Sequence, residues 1–311
     1  MKTRAISFSF VFLMTALIVC AQEATLVLER EENRIVARTA QGPVVAEYRL
    51  QAPPDAGLTV ESGGFFHPLS TPGGAVATDL APPDHPHHRG VFLAWVEMHG
   101  TKDADFWGWG EHAPVRDRRI VHREAELLQE KGAALRFRVR NAWEAEGEEL
   151  VKEVLTATLR AGSEANVLDL EYAITPAADL TLSRWAFSGF CLRLRRDGDL
   201  TLFSPSGVEE RPNPSHVDPE SDWPDAAWYA GELKLADGSV IGAAVINHPG
   251  NPPTLWHNHR DVRMINPCIV APAEVRLKGG EDLKLRYRVA TFDGAVRPGL
   301  LNRLAAEWRA E

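Results

Sequence analysis

Period-two alternation of apolar and polar residues constrains this chain more than any other feature. In Leu135-Arg136-Phe137-Arg138-Val139-Arg140 every second residue is apolar and every other one is arginine. Successive side chains of a strand point to opposite faces, so this segment is a strand with one face buried and one wet. Val167–Ile174, Gly189–Leu194 and Leu283–Val289 repeat the pattern. Thr25–Glu29, Arg34–Arg38 and Val44–Leu50 add three more short strands, the last ended by Pro53-Pro54 and Gly57. Only two stretches read as helix. Glu124–Lys131 is short, whereas Leu300, Leu301, Leu304, Ala305 and Trp308 recur at helical spacing near the C-terminus. No strand–helix–strand rhythm and no glycine-rich phosphate loop is present, so no motif calls for a nucleotide or another cofactor. Proline and glycine are spread through the chain instead of collecting in a linker. The expectation is one all-β domain, a large antiparallel β-sandwich with a short C-terminal helix.

The N-terminus carries a second message. Lys2 and Arg4 precede the apolar run Ile6–Cys20, and Val19-Cys20-Ala21 offers a small-x-small cleavage site. Residues 1–21 read as a signal peptide and residues 22–311 as the mature domain, periplasmic or secreted. Cys20 makes a lipoprotein site the rival, but Val19 is bulkier than that cleavage prefers. The run is short for a membrane span and no other long apolar segment follows, so no membrane insertion is expected after its removal. The formal charge falls from −9 to −11 without Lys2 and Arg4. An acidic protein lacks the basic face that nucleic acid requires. Cys191 and Cys268, the two mature cysteines, sit in strand-like runs where a disulfide and two buried thiols are both open.

Chemistry-bearing residues concentrate in three loops. The first is Asp84-His85-Pro86-His87-His88-Arg89-Gly90, which holds three of the chain's eleven histidines. The second is Asp105-Phe106-Trp107-Gly108-Trp109-Gly110-Glu111-His112. Two indoles between glycines interlock poorly in a core, and indole faces stack on the C–H faces of sugar rings. The third runs from Asn247-His248-Pro249-Gly250-Asn251 to Trp256-His257-Asn258-His259-Arg260, with Ser221–Asp225 and Trp228-Tyr229 as a further wall. His67 and Asp79 can fold back beside His87 and His88 across the turns of residues 63–74. Glu153 shares a strand face with Val151, Leu155, Ala157 and Leu159. Partial burial there raises a carboxyl's proton affinity and suits it to acid–base work.

These residues suggest a small-molecule carbohydrate as ligand and proton transfer as chemistry: hydrolysis, elimination or epimerisation. The expected catalytic residues are His87, His88 and Glu153, since imidazole titrates near neutrality. The expected substrate contacts are His67, Asp84, His85, Arg89, Trp107, Trp109, Arg184, His248, Asn251, Trp256 and His257. Convergence of His67, His87, His88 and His248 on one cavity is the structural requirement. Two alternatives stand beside this reading. A carbohydrate-binding module needs the indoles and arginines but no proton donors. A metal-dependent enzyme would use His85-x-His87 or His257-x-His259, yet Pro86 and Pro253 suggest loops, where that spacing means less, and His85-x-His87 has no identifiable third ligand, so no residue is assigned to a metal.

Four runs carry a resemblance: Phe65-Phe66-His67-Pro68-Leu69 with Thr71-Pro72-Gly73-Gly74, the 84–90 heptad, Phe106-Trp107-Gly108, and His248-Pro249-x-Asn251-Pro252. Together they resemble the bacterial PmoA-like family of unknown function across most of the mature chain. That resemblance implies an exported protein linked to carbohydrate breakdown. The family's label invokes an integral membrane subunit, which needs several spans that this chain lacks. The chain is more loosely similar to galactose mutarotase-like sandwiches. This similarity implies histidines and a carboxylate set around a sugar on a concave sheet, the parts expected of His87, His88 and Glu153.

Overall fold

The alternating segments form strands because each has one face of Val, Leu, Ile and aromatic residues to bury. A computed structural model describes residues 25–40 and 42–311; the signal-peptide reading of residues 1–21 lies outside them. One sheet has eight strands, in the order 264–265, 189–193, 91–94, 65–69, 44–49, 34–39, 26–30 and 131–132. The other has nine, in the order 207–208, 199–204, 228–234, 240–247, 283–293, 166–176, 148–161, 134–145 and 118–129. Pairing is antiparallel throughout both. The fold is all-β, with the expected antiparallel sheets and a single α-helix among the described residues, Pro298–Ala310 at the C-terminal end.

The two sheets share a core. Phe190 of the smaller sheet stacks on Tyr287 of the larger at 4.1 Å between ring centroids, and Tyr48 packs on Phe137 at 5.7 Å. The C-terminal helix covers the other face of the larger sheet, where Leu300, Leu301, Leu304 and Trp308 meet Trp228, Ile246 and Phe292. Among the described residues no helix is long and apolar enough to cross a membrane.

The helix expected at Glu124–Lys131 is instead the end of the strand Arg118–Gln129. Cross-strand charge decides this. Glu124 lies opposite Arg140 and Glu126 opposite Arg138, with N–O separations of 2.5 and 3.4 Å. Such pairs stabilise a sheet by about 0.2–1 kcal/mol each. Leucine and glutamate favour helix only where no partner strand stands ready. Cys191 and Cys268 are both buried free thiols, and burial raises the proton affinity of each.

Candidate functional site

The 84–90 loop is shaped by two successive turns. The His85 amide donates to Pro82 O at 3.0 Å and the His88 amide donates to His85 O at 2.9 Å. This winding puts all three imidazoles on one side. His85 and His88 stack at 4.9 Å between centroids, and His87 stands edge-on to His88 at 4.7 Å. The loop is then pinned to residues 79–81, through Ala81 N to His88 O at 2.9 Å and Gly90 N to Asp79 O at 2.8 Å. Gly90 has φ +57°, and a Cβ there would stand 2.2 Å from Phe66 O, so only glycine lets the chain pass into the strand Val91–Ala94.

Beneath the loop lies Arg193, the last residue of the strand Gly189–Arg193 and 1 % exposed. Its guanidinium donates to both Asp84 carboxylate oxygens, at 3.0 and 2.8 Å, and to His88 Nδ1 at 3.1 Å. Arginine cannot give up its proton, so His88 Nδ1 is the acceptor and His88 carries its hydrogen on Nε2. Asp84 also faces His85 Nδ1 at 2.8 Å. The Arg193 and His85 contacts hold the Asp84 carboxyl at about 2, against the opposing cost of partial burial. Burial and the neighbouring His85, Arg89 and Arg193 lower His87 to about 3. Burial likewise drives His88 well below the ordinary imidazole range. Both are neutral at physiological pH.

These histidines open on a small recess. His85, His87, His88 and His216 form its polar side; Trp109, Phe187, Val262 and Met264 form its apolar side. Its free volume is about 40 Å³, room for one exocyclic group of a ligand. Two wider grooves of about 710 and 620 Å³ share Val60, Glu61 and Arg119 as walls. Gly108 stands between them and the histidines: a Cβ there would lie 2.6 Å from Val60 Cγ1 and 2.8 Å from His87 Cβ.

Four of the expected site residues, His85, His87, His88 and Trp109, therefore line one recess. His257 sits directly behind it, wholly buried, with Nε2 3.0 Å from His216 Nδ1. The remaining expectations are corrected. Glu153 does share the inward face of its strand, but that face looks into the core. It is 2 % exposed, and its two oxygens accept from Asn141 Nδ2 and Trp143 Nε1 at 2.8 Å each. Burial raises it to about 7, and no substrate reaches it. Glu153→Gln turns an amide N–H₂ toward one of those donors, so the expected cost is about 1–3 kcal/mol of stability in a denaturant titration, with the recess unchanged.

Trp107 is fully buried against Phe92 at 4.8 Å, a core residue and no stacking platform. Arg89 is also fully buried, donating to Phe106 O at 3.2 Å with its Cζ 4.6 Å from the Phe92 ring centroid. Asp84 serves the loop instead of lining the recess. His67 bonds Thr78 Oγ1 through Nδ1 at 2.9 Å and is not a wall of the recess. Asp79 pairs with Arg196 at 3.2 Å. Arg184 donates to Ala271 O and Glu220. Trp256 is buried between Tyr229 and Asp225.

His248 and Asn251 belong to the C-terminal helix side, where His248 packs edge-on to Trp308 at 5.6 Å. The required convergence thus holds for His87 and His88 but not for His67 and His248. Asn251 works as a turn clamp: its amide donates to Arg286 O at 2.8 Å and accepts from Arg286 N at 2.8 Å, imitating a strand. Asn251→Ala is expected to cost about 1–3 kcal/mol, read from the thermal midpoint, and to leave ligand binding intact.

Sequence reasoning assigns no role to the recess walls His216, Phe187, Val262 and Met264, and it passes over Arg193 and Asp105, which shape the loops around them. His216 and Phe187 stand alone in unremarkable loops. Arg193 reads as a strand residue whose partners the sequence does not name. Asp105 accepts the amides of Gly108 and Gly110 at 2.7 Å each and so folds the Trp107–Gly110 loop; burial raises it to about 6. The D-x-x-G-x-G spacing is its only signal. Among the described residues, no three His, Cys, Asp or Glu side chains are arranged to hold one metal ion.

Comparison with known proteins places the chain in a family without naming a reaction. No curated protein sequence matches it. Among solved structures it is similar to the α-galactosidase of Lactobacillus brevis, at 9 % identity over 86 % of this chain and 39 % of that one, TM-score 0.40. A GH36 α-galactosidase, AgaA of Geobacillus stearothermophilus in complex with stachyose, gives 10 % identity over 82 % and 40 %, TM-score 0.43. A galactose mutarotase-like protein of Lactobacillus casei gives 8 % identity over 86 % and 99 %, TM-score 0.37. The chain thus spans about two-fifths of the length of the α-galactosidases. Residues 36–306 match the profile of a family of unknown function, DUF6807, and the chain belongs to that family.

Proposed function

We propose that this chain is an exported, carbohydrate-active protein that does acid–base chemistry in the histidine recess. One observation carries the reading: His85, His87 and His88 meet His216, from a loop more than a hundred residues away, opposite the aromatic wall of Trp109 and Phe187. Imidazoles supply donors and acceptors for hydroxyl groups, and the aromatic wall supplies a face for ring C–H bonds. The recess takes a single exocyclic group, so the rest of a sugar would lie over Trp109 and toward the groove beyond Gly108. Export rests on the signal-like residues 1–21, and N-terminal sequencing of the protein released by its host checks it. The histidine and glycine runs of residues 65–74 and 84–90 further support kinship with PmoA-like proteins.

Calorimetric titration with a panel of mono- and oligosaccharides tests the ligand class. Trp109→Ala is expected to weaken binding by about 2- to 10-fold, the worth of one stacking contact. Binding unaffected by that change overturns the assignment of the recess. Asn at His87 and His88 separates enzyme from binding module. Lost turnover with retained binding supports catalysis, and turnover that persists removes both imidazoles from the mechanism.

A further inference from the structure

Behind the recess, three side chains form a hydrogen-bonded line that leads from the core to the recess wall. Asp222 Oδ1 lies 2.7 Å from His257 Nδ1, and His257 Nε2 lies 3.0 Å from His216 Nδ1. The side chains of Asp222 and His257 are fully enclosed. His216 is half-buried and lines the recess, with Nε2 as the nitrogen left for a ligand. The second carboxylate oxygen, Asp222 Oδ2, is buried without a partner.

We propose that Asp222, His257 and His216 are a proton relay, and that His216 Nε2 is the group that takes and returns a proton in the recess. This deepens the carbohydrate reading and rests on the recess being the functional centre.

The hydrogen-bond directions allow two states. In the first, the Asp222 carboxylate accepts from His257 Nδ1–H, His257 Nε2 accepts from His216 Nδ1–H, and His216 Nε2 offers a lone pair to the ligand. A proton taken at that lone pair moves the others along: His216 Nδ1 passes its proton to His257 Nε2, and His257 Nδ1 passes its own to Asp222. The second state holds a carboxylic acid, two imidazoles protonated on Nε2, and a His216 N–H aimed at the ligand. The states differ by one proton, and the net charge of the line goes from −1 to 0. Neither places an imidazolium in the buried, apolar surroundings, where a cation costs most.

The surroundings favour this route over a simple histidine acid. His216 faces His257, His85 and the ring of His259, stacked at 4.9 Å, and burial together with its imidazole neighbours lowers it to about 4. Burial lowers His257 to about 3. His259, beside Asp261, is lowered to about 4 by burial and by the other two imidazoles. Asp222 goes the other way: burial first and then the Asp218 charge raise it to about 8. Cys268 also stands beside Asp222, and its thiol remains protonated. The carboxylate is therefore where an incoming proton comes to rest. His87 and His88 have no such carboxylate behind them. His216 is the catalytic group of this proposal; His257 and Asp222 are positioning residues.

Long-range ¹H–¹⁵N NMR of the imidazoles in the full, labelled chain tests the relay without any substrate. His216 and His257 should both change from the Nδ1–H to the Nε2–H tautomer in one shared step near pH 8, and neither should show imidazolium shifts until the pH is far more acid. Asp222→Asn should abolish the shared step. A His216 that becomes imidazolium with a midpoint near 6.5, the ordinary value, and is indifferent to Asp222→Asn overturns the relay. Should that variant fail to fold, the wild-type titration decides alone. A failed sugar screen would count against the carbohydrate reading and leave this result standing.

Discussion

Arg193→Leu is expected to remove about 2–4 kcal/mol of stability and to release the 84–90 loop. Arg193 is 1 % exposed and makes three charge-assisted contacts, two to Asp84 and one to His88 Nδ1. Breaking a wholly enclosed ion pair costs about 3–5 kcal/mol, because one charge is left buried and unpaired. In this pair the surviving partner is Asp84, whose side chain is 46 % exposed and keeps part of its hydration, which lowers the figure. His88 loses its only hydrogen bond at Nδ1, and the Nε2–H tautomer is no longer imposed. Lysine is expected to restore little, since one ammonium cannot span two carboxylate oxygens and an imidazole. Urea titration gives the stability term. Wild-type line shapes and shifts for His85, His87 and His88 in the leucine variant would show that the loop does not depend on Arg193.

Stability is expected to peak near pH 6.5 and to fall on both sides. His87, His88 and His257 are buried and neutral, with proton affinities lowered by burial; their unfolded value is about 6.5. Below that pH the unfolded chain binds protons that the folded one refuses, so each histidine withdraws about 1.4 kcal/mol per pH unit as pH falls. Glu153 and Asp222 have the opposite sign. Their raised values, about 7 and about 8, mean that the folded state holds protons the unfolded state has lost. Their stabilisation is complete below the unfolded carboxyl values and is lost as pH rises to 7 and 8.

Between pH 4.5 and 6.5 the lowered histidines, with His216 and His259 among them, outnumber the raised acids Glu153, Asp222 and Asp105, and stability rises by at least roughly 1.4 kcal/mol per unit. Above 6.5 the acids act alone and stability declines. Below about 4.5 the histidines dominate and the fall steepens. The loss from pH 6.5 to 4 is at least about 4 kcal/mol, a large part of the 5–15 kcal/mol that holds a typical domain together. Guanidinium titrations at half-unit pH intervals check this. A profile that is flat from pH 4 to 8 would show that the imidazoles are not neutral and buried.

The strands are legible because period two is written into single segments such as Leu135–Arg140. Alternation fails at one point: it says which residues share a face but not what the face looks at. Val151, Glu153 and Leu155 do lie together, and their face turns out to be the core, which makes Glu153 a structural acceptor. Glu124–Lys131 misleads for the complementary reason, because its partner arginines lie outside the local window. The site is half legible. The 84–90 loop brings its histidines together by local turns, and locality is what a sequence displays. His216 and Phe187 reach the recess, and Arg193 the loop beside it, through sheet topology, and no short-range pattern announces that. Trp107 and Trp109 look alike, each beside a glycine. Asp105 turns one inward and leaves the other on the wall.

Ligand binding in the histidine recess, and not in the wider grooves beside it, is what every functional step above depends on. Two-dimensional NMR of the full labelled chain during titration with the best ligand of the sugar panel tests this directly. Shift changes centred on the Trp109 indole N–H and the imidazoles of His85, His87 and His216 are expected. Changes centred instead on the Arg116–Arg119 groove, with those four signals unmoved, would contradict it.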